Sequence, residues 1–86
     1  MTLTKTQLKA LREADAAPVG NRLQRAIDLA GETQTSVAKA VELPYTYVSD
    51  TARGRYQTIT VENAHKFADH FGCAIEDLFP SRQAVA

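Results

Sequence analysis

The chain has 86 residues, with ten basic and ten acidic side chains that cancel, 44% hydrophobic and 23% charged residues, and one cysteine. That length suits a single small domain whose helical core is only just large enough to stabilise itself, and the ordinary composition excludes wholesale disorder. No apolar run in the opening MTLTKTQLKALREADA has the length of a signal peptide or membrane-spanning helix, so a cytoplasmic protein without membrane contact is expected.

Apolar positions recur at spacings of three and four, and no run alternates convincingly, so the reading is all-α. A first helix is expected at about Thr4 to Ala14. Thr4-Lys5-Thr6-Gln7 has the form of a capping box, and Leu8, Leu11 and Ala14 form one stripe. ADAAPVG reads as a linker in which Pro18 opens a second helix running to about Ala30, with Leu23, Ala26, Ile27 and Ala30 inward and Gly31 as its stop. Thr33 caps a short helix from Gln34 to Val41 with Val37, Ala38 and Val41 on one side. Pro44 forbids continuation, so a turn falls at Glu42-Leu43. The next helix, from Pro44 or Tyr45 to Arg53, ends at Gly54 and has Val48 and Ala52 as its inner stripe; Tyr45, Thr46, Ser49, Asp50 and Arg53 share the opposite, exposed face. Thr60 caps a longer helix to Phe71 with Val61, Ala64, Phe67, Ala68 and Phe71 inward, Gly72 ends it, and a last turn, Ile75 to Phe79, stops at Pro80. Two short helices joined by a tight turn are the layout of a helix-turn-helix.

The order of these pieces is informative beyond their composition. RLQRAIDLAGETQTSVAKA, YVSDTARG and TVENAHKFADHFGCAIEDLF, within residues 22–79, resemble the Cro and phage-repressor type of helix-turn-helix domain, the XRE family. The resemblance implies a five-helix lambda-repressor-like domain over residues 19–80, with residues 1–18 as an additional N-terminal helix and linker and 81–86 as a tail. It further implies double-stranded DNA as partner, binding as a homodimer, and no cofactor or metal. The helix from Tyr45 to Arg53 would then enter the major groove, with Tyr45, Thr46, Ser49 and Asp50 at base edges. Gln34 matches a family glutamine that contacts phosphate; Arg53, Arg55 and Tyr56 would hold the backbone, and Tyr47 would sit at the flank.

The chain departs from the family pattern in three places. Glu42 stands where the turn usually has glycine, and a left-handed residue there would cost about 1–2 kcal/mol. Ala52 replaces a glutamate whose arginine partner on the first helix is here Ile27, so an ion pair has become an apolar contact, an exchange that is often neutral or stabilising. Asp50 puts a carboxylate near phosphates, which suits recognition only where it accepts from cytosine N4.

Charge is unevenly distributed. Residues 1–19 carry three basic and two acidic groups, 20–66 six and five, and 67–86 one and three. Arg53 and Arg55, with Lys39 and the pair Arg22 and Arg25, can make a modest basic patch, and Glu76-Asp77 reads as a solvated acidic helix end. His65 and His70 lie about 140° apart around a helix, which excludes chelation as a pair. Cys73, between Phe71 and Ile75, reads as a small buried core residue, and no catalytic constellation stands out, so a non-enzymatic protein is expected. An alternative of another class is a helix-turn-helix protein-interaction module, such as an antitoxin, docking a partner protein through the Leu8 and Leu11 stripe of the N-terminal helix.

Overall fold

The computed structural model describes residues 2–14, 20–55 and 59–80. Within them the chain forms six helices and no strand: α1 (Lys5–Glu13), α2 (Leu23–Leu29), α3 (Gln34–Val41), α4 (Tyr45–Ala52), α5 (Val61–Phe71) and α6 (Ile75–Leu78). None of these is long and apolar enough to cross a membrane.

Threonines start three of the helices. Thr4 accepts from the Gln7 amide at 3.2 Å while Gln7 Oε1 accepts from the Thr4 amide at 2.8 Å, and Thr33 and Ser36 exchange the same pair of bonds at 3.1 Å. Thr60 accepts from the Asn63 amide at 3.2 Å. Each cap satisfies a donor that the helix itself cannot, a contribution of about 1 kcal/mol.

The second helix starts later than expected, at Leu23, and Pro18 lies outside the described residues. Asn21 explains the later start. Its Oδ1 accepts from the Leu23 amide at 3.0 Å and its Nδ2 donates to the Thr51 carbonyl at 2.8 Å, so this buried side chain competes with helical backbone bonding and delays the helix.

Helix ends repeat one device. At the end of α5, Gly72 is left-handed (φ 69°), with its amide donating to Asp69 O and that of Cys73 to Ala68 O. At the end of α3 the same two bonds run from Glu42 to Lys39 O and from Leu43 to Ala38 O, but the left-handed residue is Glu42 at φ 59°. Among the described residues, Glu42 alone of the non-glycines has positive φ, so the strained alternative for this turn is the one realised.

A single hydrophobic core joins all six helices, with Leu11, Leu23, Ile27, Val37, Phe67 and Phe71 among its fully buried side chains. Phe67 and Phe79 pack ring to ring, tilted, with centroids 6.2 Å apart. Leu3 and Leu11 belong to this core and Leu8 packs partly against it, so the apolar stripe of α1 faces its own domain. Leu11 has no surface left with which to dock another protein.

Polar bonds fasten the same segment. Gln7 Nε2 donates to Leu29 O at 2.7 Å, closing an orphan carbonyl at the end of α2, and the Leu3 amide donates to Phe71 O at 2.9 Å. A Cβ at Gly72 would fall 2.4 Å from Thr2 Cγ2, so a larger residue would make the exposed Thr2 side chain turn aside; what requires glycine there is the left-handed backbone.

Several expectations are corrected at this edge. Asp77 is buried rather than solvated: Arg12 donates to both of its oxygens, at 2.9 and 3.2 Å, and the Ala74 amide donates to Oδ2 at 3.1 Å. The Arg12 hydrogen bond holds the Asp77 carboxyl below its ordinary range, outweighing the opposing effect of burial, and the same bond raises the Arg12 guanidinium. Arg22 turns inward, donating to Ala14 O at 2.8 Å and Asp77 O at 3.3 Å, instead of joining a basic patch. Val61, the first residue of its helix, projects beyond the core and is 43% exposed. Cys73 is half-buried rather than buried; burial pushes its thiol up to about 12, with Asp77 adding in the same direction, so it stays protonated and a poor nucleophile.

Candidate nucleic-acid interface

α3 and α4 pack more extensively on each other than any other pair of helices. They are joined by Glu42, Leu43 and Pro44, and Pro44 supplies the extended residue before α4 (φ −59°, ψ 143°). α2 also packs on α4, and Ile27 and Ala52, the two apolar residues at the positions of the family's ion pair, are both buried in the shared core.

The buried arc of α4 is wider than a stripe of Val48 and Ala52. Ser49 and Thr51 are buried as well, at 5% and 4% exposure, and at 100° per residue these four span about 160° of the helix. Small side chains at Ser49 and Ala52 let the neighbouring helices close over that side. Ser49 is therefore removed from the exposed face on which it was expected. Thr51 Oγ1 donates back to Tyr47 O at 2.7 Å, while its carbonyl is the one held by Asn21.

Thr46, Asp50 and Arg53 remain outside, within an arc of about 60°. Thr46 and Arg53 are exposed, Asp50 is partly so, and Tyr45 extends half-exposed from the first turn. Asp50 Oδ1 lies 3.6 Å from Arg55 Nε, and this loose pair offsets the carboxylate with a neighbouring guanidinium that is itself exposed. Tyr47 is only partly exposed and its hydroxyl accepts from Asn63 Nδ2 at 3.1 Å, which ties the flank of α4 to α5. Tyr56 lies outside the described residues.

Gln34 opens α3, partly buried, with its Nε2 donating to Gln24 Oε1 at 2.7 Å. Behind it, Gln24 Nε2 donates to Asp28 Oδ1 at 2.9 Å. The first turn of α3 is also tied to α5: Ser36 Oγ donates to one oxygen of Glu32 at 3.2 Å and His70 Nε2 lies 2.8 Å from the other. Burial alone would raise the Glu32 carboxyl, and its partners, His70 among them, leave it lowered instead. His65 is exposed on another side of α5, as the spacing of the two histidines requires.

The structure thus brings Thr46, Asp50 and Arg53 to one side of a short helix, with Arg55 next to Asp50; Tyr45, seven positions before Ala52 and so aligned with the inner side rather than with that arc, is half-exposed because it stands in the first turn. Gln24, Asp28, Asn21 and Asn63 are the supporting residues that the sequence reading missed. Asn21 carried a local signal, a short amide side chain just before a helix, and so did Gln24 and Asp28 as an i, i+4 pair; the bonds of Gln24 to Gln34 and of Asn63 to Tyr47 act across space and carried none.

A short helix with an exposed polar arc, seated on a second short helix through a three-residue turn and backed by a common core, defines a helix-turn-helix domain. The chain belongs to the Cro/C1-type HTH DNA-binding domains, whose family model matches residues 22–80. No curated protein and no solved structure matches it significantly. The match leaves α1 outside, although Leu11 of α1 lies in the core that supports the matched helices.

Proposed function

We propose that this chain is a sequence-specific transcriptional regulator, a cytoplasmic repressor that occupies operator DNA as a two-fold dimer with α4 in the major groove. The observation that carries the reading is the outward arc of Thr46, Asp50 and Arg53, with Tyr45 half-exposed in the first turn, on a helix whose other side is buried. A helix of about 10–12 Å diameter fits a major groove about 12 Å wide, so such an arc meets base edges without deforming either partner.

Tyr45, Thr46 and Asp50 are the base-reading residues. Ser49, being buried, is left out of that set. Asp50 accepts from cytosine N4, and Arg55 offsets its repulsion from the flanking phosphates. Gln34, Arg53, Arg55 and Tyr56 bind backbone, and Tyr47 lies at the flank. Two-fold symmetry puts the half-sites about one helical turn apart on one face of the duplex. With ten basic residues per protomer balanced by ten acidic ones, affinity falls only shallowly with salt.

A fluorescence-anisotropy titration on a duplex covering the chain's own promoter, and on a scrambled duplex, each at two salt concentrations, tests the reading. Tight binding to the first and weak binding to the second, with two chains per site by sedimentation, is expected. Equal weak binding to both, or none, would sink it.

A further inference from the structure

We infer that Gln24 and Asp28, one turn apart on α2, are positioning residues that aim the Gln34 side chain at the DNA backbone. The inference rests on the docking proposed above, in which Gln34 meets a phosphate.

A glutamine amide can present either its oxygen or its nitrogen to a ligand. Only the nitrogen suits a phosphate, because both the amide oxygen and the phosphate oxygens are acceptors. An unrestrained Gln34 would thus offer the wrong end part of the time and lose rotamer freedom on binding. In this fold the ambiguity is removed from behind. The Asp28 carboxylate, which can only accept when ionised, accepts a hydrogen bond from Gln24 Nε2 at 2.9 Å, and this turns Gln24 Oε1 away from it. That oxygen, again an acceptor only, accepts a hydrogen bond from Gln34 Nε2 at 2.7 Å. The nitrogen of Gln34 carries a second proton, which remains for a phosphate oxygen at the start of α3. Each bond in such a series polarises the next, and the series begins at an anion, so the terminal N–H becomes a better donor. Helical spacing makes the arrangement self-contained: residues 24 and 28 are i, i+4 neighbours on a single face.

The test uses the full chain and the tightest duplex recovered by selection from a random pool, with affinity read by anisotropy. Gln24→Ala should weaken binding by about fivefold and Gln34→Ala by at least as much. The double variant should be no weaker than Gln34→Ala alone, because Gln24 acts only through Gln34. Arg53→Ala, a contact of its own, should add its full loss to that of Gln24→Ala. A merely structural role for Gln24 would lower the melting temperature and act equally in both backgrounds. Exchanging the roles with Gln24→Glu together with Asp28→Asn keeps an acceptor toward Gln34 and the same net charge, and should hold affinity within about twofold. Additive losses at 24 and 34, or an inert Gln24→Ala beside damaging Gln34→Ala and Arg53→Ala, overturn the positioning role alone. Insensitivity to all three substitutions overturns the proposed docking, and the positioning role with it.

Discussion

The α1–α6 edge and the α3–α4 edge handle polar groups in opposite ways. At the first, Arg12 closes bidentately on Asp77, Arg22 turns inward onto two carbonyls, and Gln7 closes the end of α2. At the second, the side chains of Tyr45, Thr46 and Arg53 make no hydrogen bond among the described residues, and Asp50 has only a loose partner in Arg55. Polar groups satisfied within the chain hold the fold together, whereas those left to water can be satisfied by a ligand at little structural cost. Substitutions at the α1–α6 edge should therefore move stability and leave DNA affinity alone, and substitutions on the outer face of α4 should do the reverse.

Leu11→Ala is the strongest challenge to that division. Removing a side chain with no exposure should cost about 3 kcal/mol in urea unfolding, while the folded fraction binds DNA as before. A loss below about 1 kcal/mol, the range of ordinary surface positions, would mean that α1 lies outside the core. Asp77→Ala should follow at about 2 kcal/mol, through the lost bonds to Arg12 and to the Ala74 amide. Because the folded Asp77 carboxyl is held below its unfolded value of about 3.9, its contribution is complete above that pH and disappears as pH falls through the folded value. Stability measured from pH 6 downward should fall less steeply for Asp77→Asn than for the natural chain.

Arg53→Ala addresses the other edge. Affinity should drop on the order of tenfold and the salt slope flatten by about one, with stability unchanged within about 0.5 kcal/mol. Glu42→Gly gives the smallest effect and sharpens the boundary between the edges. It relieves a left-handed non-glycine residue and should stabilise by about 1 kcal/mol, raising Tm by about 5 °C, without altering affinity. A change in affinity would mean that the turn sets the pose of α4 through more than its backbone path.

Local chemistry was legible in the sequence, and chemistry across space was not. Thr33 and Thr60 mark their helix starts in both, and α3 and α5 have the limits expected from cap, stripe and stop residue. Thr4 and Gln7 form the capping box that their spacing implies. The burial of Asp77 escaped because its partner Arg12 is 65 positions away, and a charged side chain near a helix end reads as solvated unless that partner is known. Ser49 misled for a related reason: helical geometry sorts residues by angle, whereas burial depends on how closely the neighbouring helices approach, and small side chains permit closer approach. At the candidate site, Thr46, Asp50 and Arg53 could be placed on one side from periodicity alone; that Gln34 is held by Gln24 could not, since the bond joins two different helices.

Asn21 has a consequence for how readily such a domain can change its target. Its Nδ2 holds α4 by a main-chain carbonyl, that of Thr51, and so senses where the helix backbone lies without sensing which side chains the helix displays. The anchor is indifferent to the text printed on the outer surface. Under the proposed docking, new residues at positions 45, 46 and 50 would change the preferred operator while the helix keeps its mounting, so specificity would diverge one position at a time on an unchanged fold.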